Sequence, residues 1–175
     1  MKILGICASL RTGSLNQYLL NTIAKEFNQE EFNQVEWSDI PPFNPDLLKQ
    51  PFPASVLQLA EQIRHADGVV IAMPEYNFSI PGMFKNALDW LSKCENPPLA
   101  GKSVAIVSAA TGALGGARGQ YSLRNVLLCM NAKVLAKPEV FVSFAAKKFD
   151  ANGLCIDEET VKVINAQMTA FKKLL

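Results

Sequence analysis

The side chains best equipped for chemistry fall in three loops, each directly after an apolar run. The first, residues 8–16, carries hydroxyls at Ser9, Thr12 and Ser14, an amide at Asn16 and a forked cation at Arg11, with Gly13 freeing the backbone between them. A helix follows at once, so its first N–H groups and the positive end of its dipole point into this loop. That is a pocket for a phosphate dianion. The plainer reading is N-capping by Ser14 with Arg11 in solvent. Capping needs one hydroxyl, and this loop has three together with an amide and a cation.

The second loop, Pro74-Glu75-Tyr76-Asn77-Phe78-Ser79-Ile80-Pro81, is stiffened by a proline at each end. An aromatic ring, an amide and a carboxylate held this way suit a flat ligand with polar edges. A rigid turn that merely positions the next helix fits equally well at this point. The third loop, residues 109–117, opens a glycine-rich stretch with the pattern G-x-x-G-G-x-x-G from Gly112 to Gly119. Leu114 stands where a dinucleotide fingerprint needs its second glycine, so no Rossmann fingerprint is present, but close backbone approach to a ligand is expected. Gly101-Lys102-Ser103 imitates the end of a P-loop, yet Asn96 replaces the required glycine and the triplet precedes its strand; it reads as a turn. A phosphate pocket on one loop and flat-ring contacts on two others fit a mononucleotide with a planar heterocycle, and flavin mononucleotide (FMN) satisfies this.

The elements that must position these loops are legible from hydrophobic periodicity. Residues 2–7, 69–73 and 103–108 are short, almost wholly apolar runs, the pattern of strands buried on both faces. Residues 34–38 alternate and read as a second strand near an edge, and a fifth lies within 133–143, interrupted or extended around Pro138. Between them run one-faced helices. One carries Leu15, Leu19, Ile23 and Phe27; the next Val56, Leu59, Ala60 and Ile63, behind a capping box at Ser55–Gln58. A third, from Pro81, spans 83–91; a fourth carries Leu123, Val126, Leu127 and Met130. The last is capped by Asp157, with a stripe of Val161, Ile164, Met168, Phe171 and Leu175. Residues 40–53 hold five prolines and are expected to be an ordered surface loop without regular structure. Strand and helix alternate five times, which predicts an α/β fold with a parallel sheet and helices on both sides.

Composition narrows the function. The 175 residues suit one domain, 1–175, with a sizeable core. A formal net charge of +1 with scattered Lys and Arg gives no pull toward nucleic acid or membrane. No apolar run approaches the roughly 20 residues of a membrane span, and the short first strand is no signal-peptide core, so a cytoplasmic protein is expected. The four cysteines are far apart without a CxxC, and His65 is the single histidine, so no metal site is expected.

Taken together, Ser9-Leu10-Arg11 with Ser14 and Asn16, Pro74-Glu75-Tyr76-Asn77, Lys85-Asn86-Ala87 with Asp89-Trp90, and Gly115-Gly116-Ala117-Arg118 resemble the NADPH-dependent FMN reductase family. Within it the chain resembles the bacterial chromate and quinone reductase branch. The resemblance implies a flavodoxin-like three-layer sandwich, its five-stranded parallel sheet in the order 2-1-3-4-5. It implies that Ser9, Arg11, Ser14, Leu15 and Asn16 hold the FMN phosphate. Pro74, Glu75, Tyr76 and Asn77 would line the isoalloxazine through backbone groups, and Ala110 and Gly112 would reach its pyrimidine side. Lys85, Asn86, Asp89 and Trp90 would lock a loop and pack a subunit interface. Arg118 and Tyr121 would serve an interface or meet the NADPH phosphate. Relatives form dimers and dimers of dimers. Ala109-Ala110 stands where relatives often carry hydroxyls, leaving only backbone contact there.

The implied reaction is hydride transfer from NADPH or NADH to flavin N5, then reduction of a quinone or, less specifically, of chromate, nitro or azo compounds, with ping-pong kinetics. No side chain is assigned as acid or base. The alternatives are a flavodoxin-type electron carrier, against which the near-neutral charge argues, and a flavin-based redox-sensing interaction protein.

Overall fold

The computed structural model describes residues 1–25, 27 and 31–175. Its centre is a parallel sheet. β1 (Ile3–Cys7), β3 (Gly68–Ala72) and β4 (Ser103–Ala109) are buried at every position. Such strands need cover on both faces, and their side-chain alternation decides which helix supplies it. Leu4, Ile6, Val69, Ile71, Val104 and Ile106 point to the face covered by α2 (Ala54–His65), α3 (Gly82–Leu91) and α4 (Ala117–Cys129). Ile3, Cys7, Val70, Ala72, Ala105 and Val107 point to the face covered by α1 (Leu15–Ala24) and α5 (Glu158–Lys172). The result is the three-layer, flavodoxin-like α/β sandwich expected, with strand order 2-1-3-4-5.

Departures from the sequence reading are local. The second strand, β2, is Phe32–Gln34, earlier and shorter than the expected 34–38. The alternation that suggested the longer strand comes from Trp37. That side chain is buried off the sheet edge, and its indole N–H donates to the Cys7 carbonyl (2.8 Å). The fifth strand is interrupted: β5 (Lys133–Val134) and β6 (Val140–Val142) pair with the start and end of β4, with a cis Lys137–Pro138 peptide between them. The capping box at Ser55–Gln58 does not form. Pro53 fixes the start of α2, and the Ser55 hydroxyl donates instead to the Asp39 carbonyl (3.4 Å).

The proline-rich segment contains a short 3-10 helix, Pro45–Lys49, and is tied down by α3. The Pro41 carbonyl accepts from Asn86 Nδ2 and Trp90 Nε1, and Asn86 Oδ1 accepts from Phe43 N–H (2.7 Å). Phe43 and Phe52 stand edge-on to the Trp90 ring. Asn86 and Trp90 therefore lock a loop within the chain, while Lys85 and Asp89 pair with each other (2.6 Å) one turn apart. Gly101 makes the expected turn, with φ +71°. Among the described residues no helix is long and apolar enough to cross a membrane.

Candidate functional site

β1, β3 and β4 end at one edge of the sheet, and the strand order reverses between β1 and β3. A crevice must open at such a switch point, because the connections leave to opposite faces. A cleft of about 290 Å³ opens there. It is lined by Ser9, Arg11, Ser14, Leu15, Asn16, Pro74, Glu75, Tyr76, Ala109, Ala110 and Thr111. Nine of the eleven residues singled out from sequence line it; Asn77 and Gly112 do not, and Ala109 and Thr111 of the third loop complete it. A larger hollow of about 550 Å³ lies elsewhere, between Phe52, Leu57, Arg64 and Cys94. Its arginine is already committed to Glu61 and to the carbonyls of Glu95 and Asn96.

The first loop is preformed. Ser14 takes the N-cap position of α1, its hydroxyl accepting from Asn16 N–H (3.2 Å). Ser9 Oγ accepts from Arg11 N–H (3.3 Å), and the Arg11 guanidinium donates to the Gly13 carbonyl (2.9 Å), reached because Gly13 adopts φ +67°. Beneath the loop, burial pushes the Cys7 thiol above its ordinary pKa; it stays neutral and donates to the Ser9 carbonyl. Arg11 remains exposed with most of its donors toward solvent. Asn16 differs from expectation. Its side chain is buried, Nδ2 donating to the Ala109 carbonyl and Oδ1 accepting from Ala109 N–H, both at 2.9 Å. Its side-chain amide clamps β4.

The second loop folds back on itself. Tyr76 and Ser79 exchange both backbone hydrogen bonds (3.0 and 2.9 Å) around Asn77 and Phe78, which have φ of 50° and 63°. This is the backbone of a type I′ turn, where Asn is at home and Phe is not. Phe78 is 64% exposed, and the Arg118 guanidinium lies 4.1 Å from its ring centre. Nothing in sequence spacing marks a phenylalanine for the left-handed region, so Phe78 was missed. Glu75 Oε2 accepts from Gly119 N–H (3.0 Å) in the first turn of α4, with Arg118 at 4.0 Å from Oε1. Its carboxylate is thus turned to α4, away from the phosphate end of the cleft.

The glycines of the third loop serve the protein more than a ligand. A Cβ at Gly115 would stand 2.7 Å from the Phe141 carbonyl carbon, one at Gly116 2.8 Å from Ser108 Cβ, and one at Gly119 3.2 Å from Glu75 Cα. Only at Gly112, of these four, would a Cβ meet open space. Ser108, fully buried, donates to the Gly115 carbonyl and accepts from Gln120 Nε2 (2.8 Å), fixing the loop from below. The expected backbone contact from Ala110 is restricted: its N–H donates to Val142 and its carbonyl accepts from Ala145 N–H. Thr111 and Gly112 carry the next amides in line. His65 lies exposed on the last turn of α2, outside the cleft. Among the described residues no three His, Cys, Asp or Glu side chains cluster as metal ligands.

The donors at the α1 end fit a phosphate ester. Ser9, Arg11 and the first-turn N–H groups, which have no intrahelical acceptors, converge there, and the one carboxylate lining the cleft is occupied by α4. Fold and cleft define a flavodoxin-like protein whose ligand crevice lies at the switch point of the sheet. The family model for NADPH-dependent FMN reductase matches residues 1–147. The quinone reductase of Escherichia coli (strain K12) is 42% identical over 179 residues, covering 100% of this chain and 95% of that protein. An NAD(P)H-dependent FMN reductase of Pseudomonas aeruginosa is 40% identical over 173 residues, covering 98% and 94%. Among solved structures, FerB, a flavoenzyme NAD(P)H:(acceptor) oxidoreductase from Paracoccus denitrificans, superposes with a TM-score of 0.89 at 34% identity, covering 99% of this chain and 96% of that one. The chain belongs to the NADPH-dependent FMN reductase family.

Proposed function

We propose that this chain, acting as a single domain over residues 1–175, is an FMN-dependent NAD(P)H oxidoreductase whose acceptors are quinones and, less selectively, chromate, nitro or azo compounds. The observation that carries the reading is the preformed, cationic pocket at the N-terminus of α1, directly beside the strained Tyr76–Ser79 turn. When bound, FMN supplies two-electron redox chemistry between a nicotinamide and an acceptor. The protein's part is to bind and orient. Ser9, Arg11 and the first-turn N–H groups of α1 hold the phosphate. Leu15 packs the polyol side, and the backbone of 74–77 with Thr111 and Gly112 meets the ring edge. Thr111 and Gly112, not Ala110, present N–H groups to negative charge building on the ring. Donor and acceptor use the same open cleft in turn, so the kinetics are ping-pong, with parallel initial-rate lines.

A homodimer or homotetramer is part of the proposal, supported by exposed Phe78, Tyr121, Leu128 and Phe144. So is a cytoplasmic location, supported by four unpaired cysteines. The test is an absorbance spectrum of the purified protein before and after anaerobic NADPH. Flavin bands that bleach with NADPH and return on adding a quinone are expected. Bands untouched by NADPH would favour an electron carrier or sensor, and no flavin after incubation with FMN would overturn the site.

A further inference from the structure

Asn16 lies in the cleft wall, yet both ends of its amide are taken by Ala109, ninety-three positions away. The sheet explains why. β3 and β4 pair in register up to Ala72–Val107, and Met73 N–H still donates to the Val107 carbonyl. Backbone groups facing one neighbour recur every second residue, so the next pair due from β3 is at Ala109. There β3 has already turned away at Pro74. Ala109 is left buried with an N–H and a carbonyl facing the vacated lane, and leaving such groups unmatched is costly. The Asn16 amide fills the lane with the donor and acceptor that a strand would have offered. Only one amide orientation satisfies both bonds.

The geometry points to Asn16 as a positioning residue: it holds the ring-binding loop in place by bolting the end of β4 to the first turn of α1, whose own loop is fixed separately through Ser9, Arg11 and Ser14. This rests on the FMN reading of the cleft and deepens it. Ser14 and Asn16 share that first turn, and Ala109 leads directly into Ala110, Thr111 and Gly112. One rigid amide therefore spans the two ends of the ligand. Bonded at both ends, the Asn16 side-chain amide has no group left to offer a phosphate.

The chemistry allows a test by pH. A protonated carboxyl presents the same donor and acceptor as an amide; a carboxylate presents two acceptors, one facing the Ala109 carbonyl. Burial and that carbonyl both raise the pKa of an aspartate in this place. The charged and titratable groups around it are the Cys7 thiol of β1, Arg11 of the first loop, turned to Gly13, and, in the second loop, Glu75, turned to Gly119, and the Tyr76 phenol, which shares the cleft wall. Residues 108–111 of β4 and its loop carry none, and α5, also packed on α1, brings Lys172 to Phe27 at the far end.

The experiment titrates flavin-free wild type, Asn16→Asp and Asn16→Ala with FMN and with riboflavin between pH 5 and pH 8.5. In Asn16→Asp, FMN affinity at low pH should approach that of wild type and fall as pH rises, by about 30-fold at the alkaline end. In Asn16→Ala, FMN and riboflavin should weaken by the same factor, because the ring loop is what moves. A loss confined to FMN would mean that Asn16 holds the phosphate, and a pH-independent Asn16→Asp would mean that no amide-like clamp operates; either overturns the inference. Amide exchange at Ala109 in the flavin-free proteins separates this from the cofactor reading. Protection in wild type and its loss in Asn16→Ala support the clamp even if wild type takes up neither flavin, an outcome that would overturn the FMN site alone.

Discussion

Replacing Glu75 by alanine should cost the protein stability although Glu75 sits in a loop at the ligand cleft. The side chain is 15% exposed and joins the second loop to α4. The N-cap of α4 is Gly116, which has no side chain to offer, so Glu75 supplies from outside the acceptor that a capping residue normally provides. Losing that bond to Gly119 N–H is worth about 1 kcal/mol. Losing a negative charge at the positive end of a 13-residue helix adds about 0.5 kcal/mol. The contact with half-exposed Arg118 at 4.0 Å adds about nothing. The total of about 1.5 kcal/mol corresponds to a drop of about 3–6 °C in Tm for a chain of this size. Glu75→Gln keeps the acceptor and loses the charge, so it should fall by only about 1–2 °C. Calorimetry on the flavin-free protein is the assay, since bound cofactor would add its own stabilisation. A Glu75→Ala protein within a degree of wild type, or a glutamine variant as unstable as the alanine one, would refute the capping argument.

Three further outcomes follow from the same contacts. Gly116→Ala places a Cβ 2.8 Å from Ser108 Cβ at φ +87°, and should lower stability by roughly 2–4 kcal/mol, measured by denaturant unfolding. Asn86→Ala removes two hydrogen bonds to the proline-rich segment, and should cost about 2 kcal/mol and speed proteolytic cleavage within residues 40–53, read by limited proteolysis and mass spectrometry. Asp157 caps α5; bonds from the Thr160 hydroxyl and N–H, with Lys148, hold its carboxyl below the usual range. A lowered folded pKa gives stability that is present above the unfolded value near 3.8 and lost as pH falls through the folded one. The Tm gap between wild type and Asp157→Ala should therefore be widest near neutrality and close below about pH 4; a gap that widens in acid would reverse the assignment.

The sequence was informative where burial left little choice. β1, β3 and β4 are apolar on both faces and end in loops of unmistakable polarity, so their central place in the sheet and the edge that bears the cleft could be read directly, while their order came from the family resemblance. The misread elements are those whose pattern had two physical causes. Pairing with β1 ends at Gln34 and a last bond from Val35 N–H to the Gly5 carbonyl; the alternation runs on to residue 38 because Trp37 is buried against Cys7. Ser55–Gln58 has capping-box spacing, but Pro53 begins the helix ahead of it. At the site, membership of the cleft was legible and the partner of each side chain was not. Asn16 belongs where a phosphate ligand is expected, yet its bonds run to a residue ninety-three positions on, which no local spacing can reveal. Phe78 was invisible for the opposite reason, since its backbone geometry contradicts its residue type.

The internal bonds of these side chains bear on how the cleft works. Ser14, Asn16, Glu75, Ser108 and Gln120 all look like ligand contacts by type, and each is bonded within the protein. What remains for a ligand is one guanidinium, one or two hydroxyls and backbone N–H groups, held in place before anything binds. Fixed donors of this kind recognise a phosphate by charge and geometry without closing around it. The loops beside the cleft expose Leu10, Tyr76 and Phe78, which offer apolar and aromatic surface with few hydrogen-bonding demands. On the proposed function this division separates two tasks: polar side chains set the distances between loops, and selection of the acceptor falls to shape and stacking at the rim. Substituting Phe78 should then change the KM for a bulky quinone while the affinity for FMN stays the same.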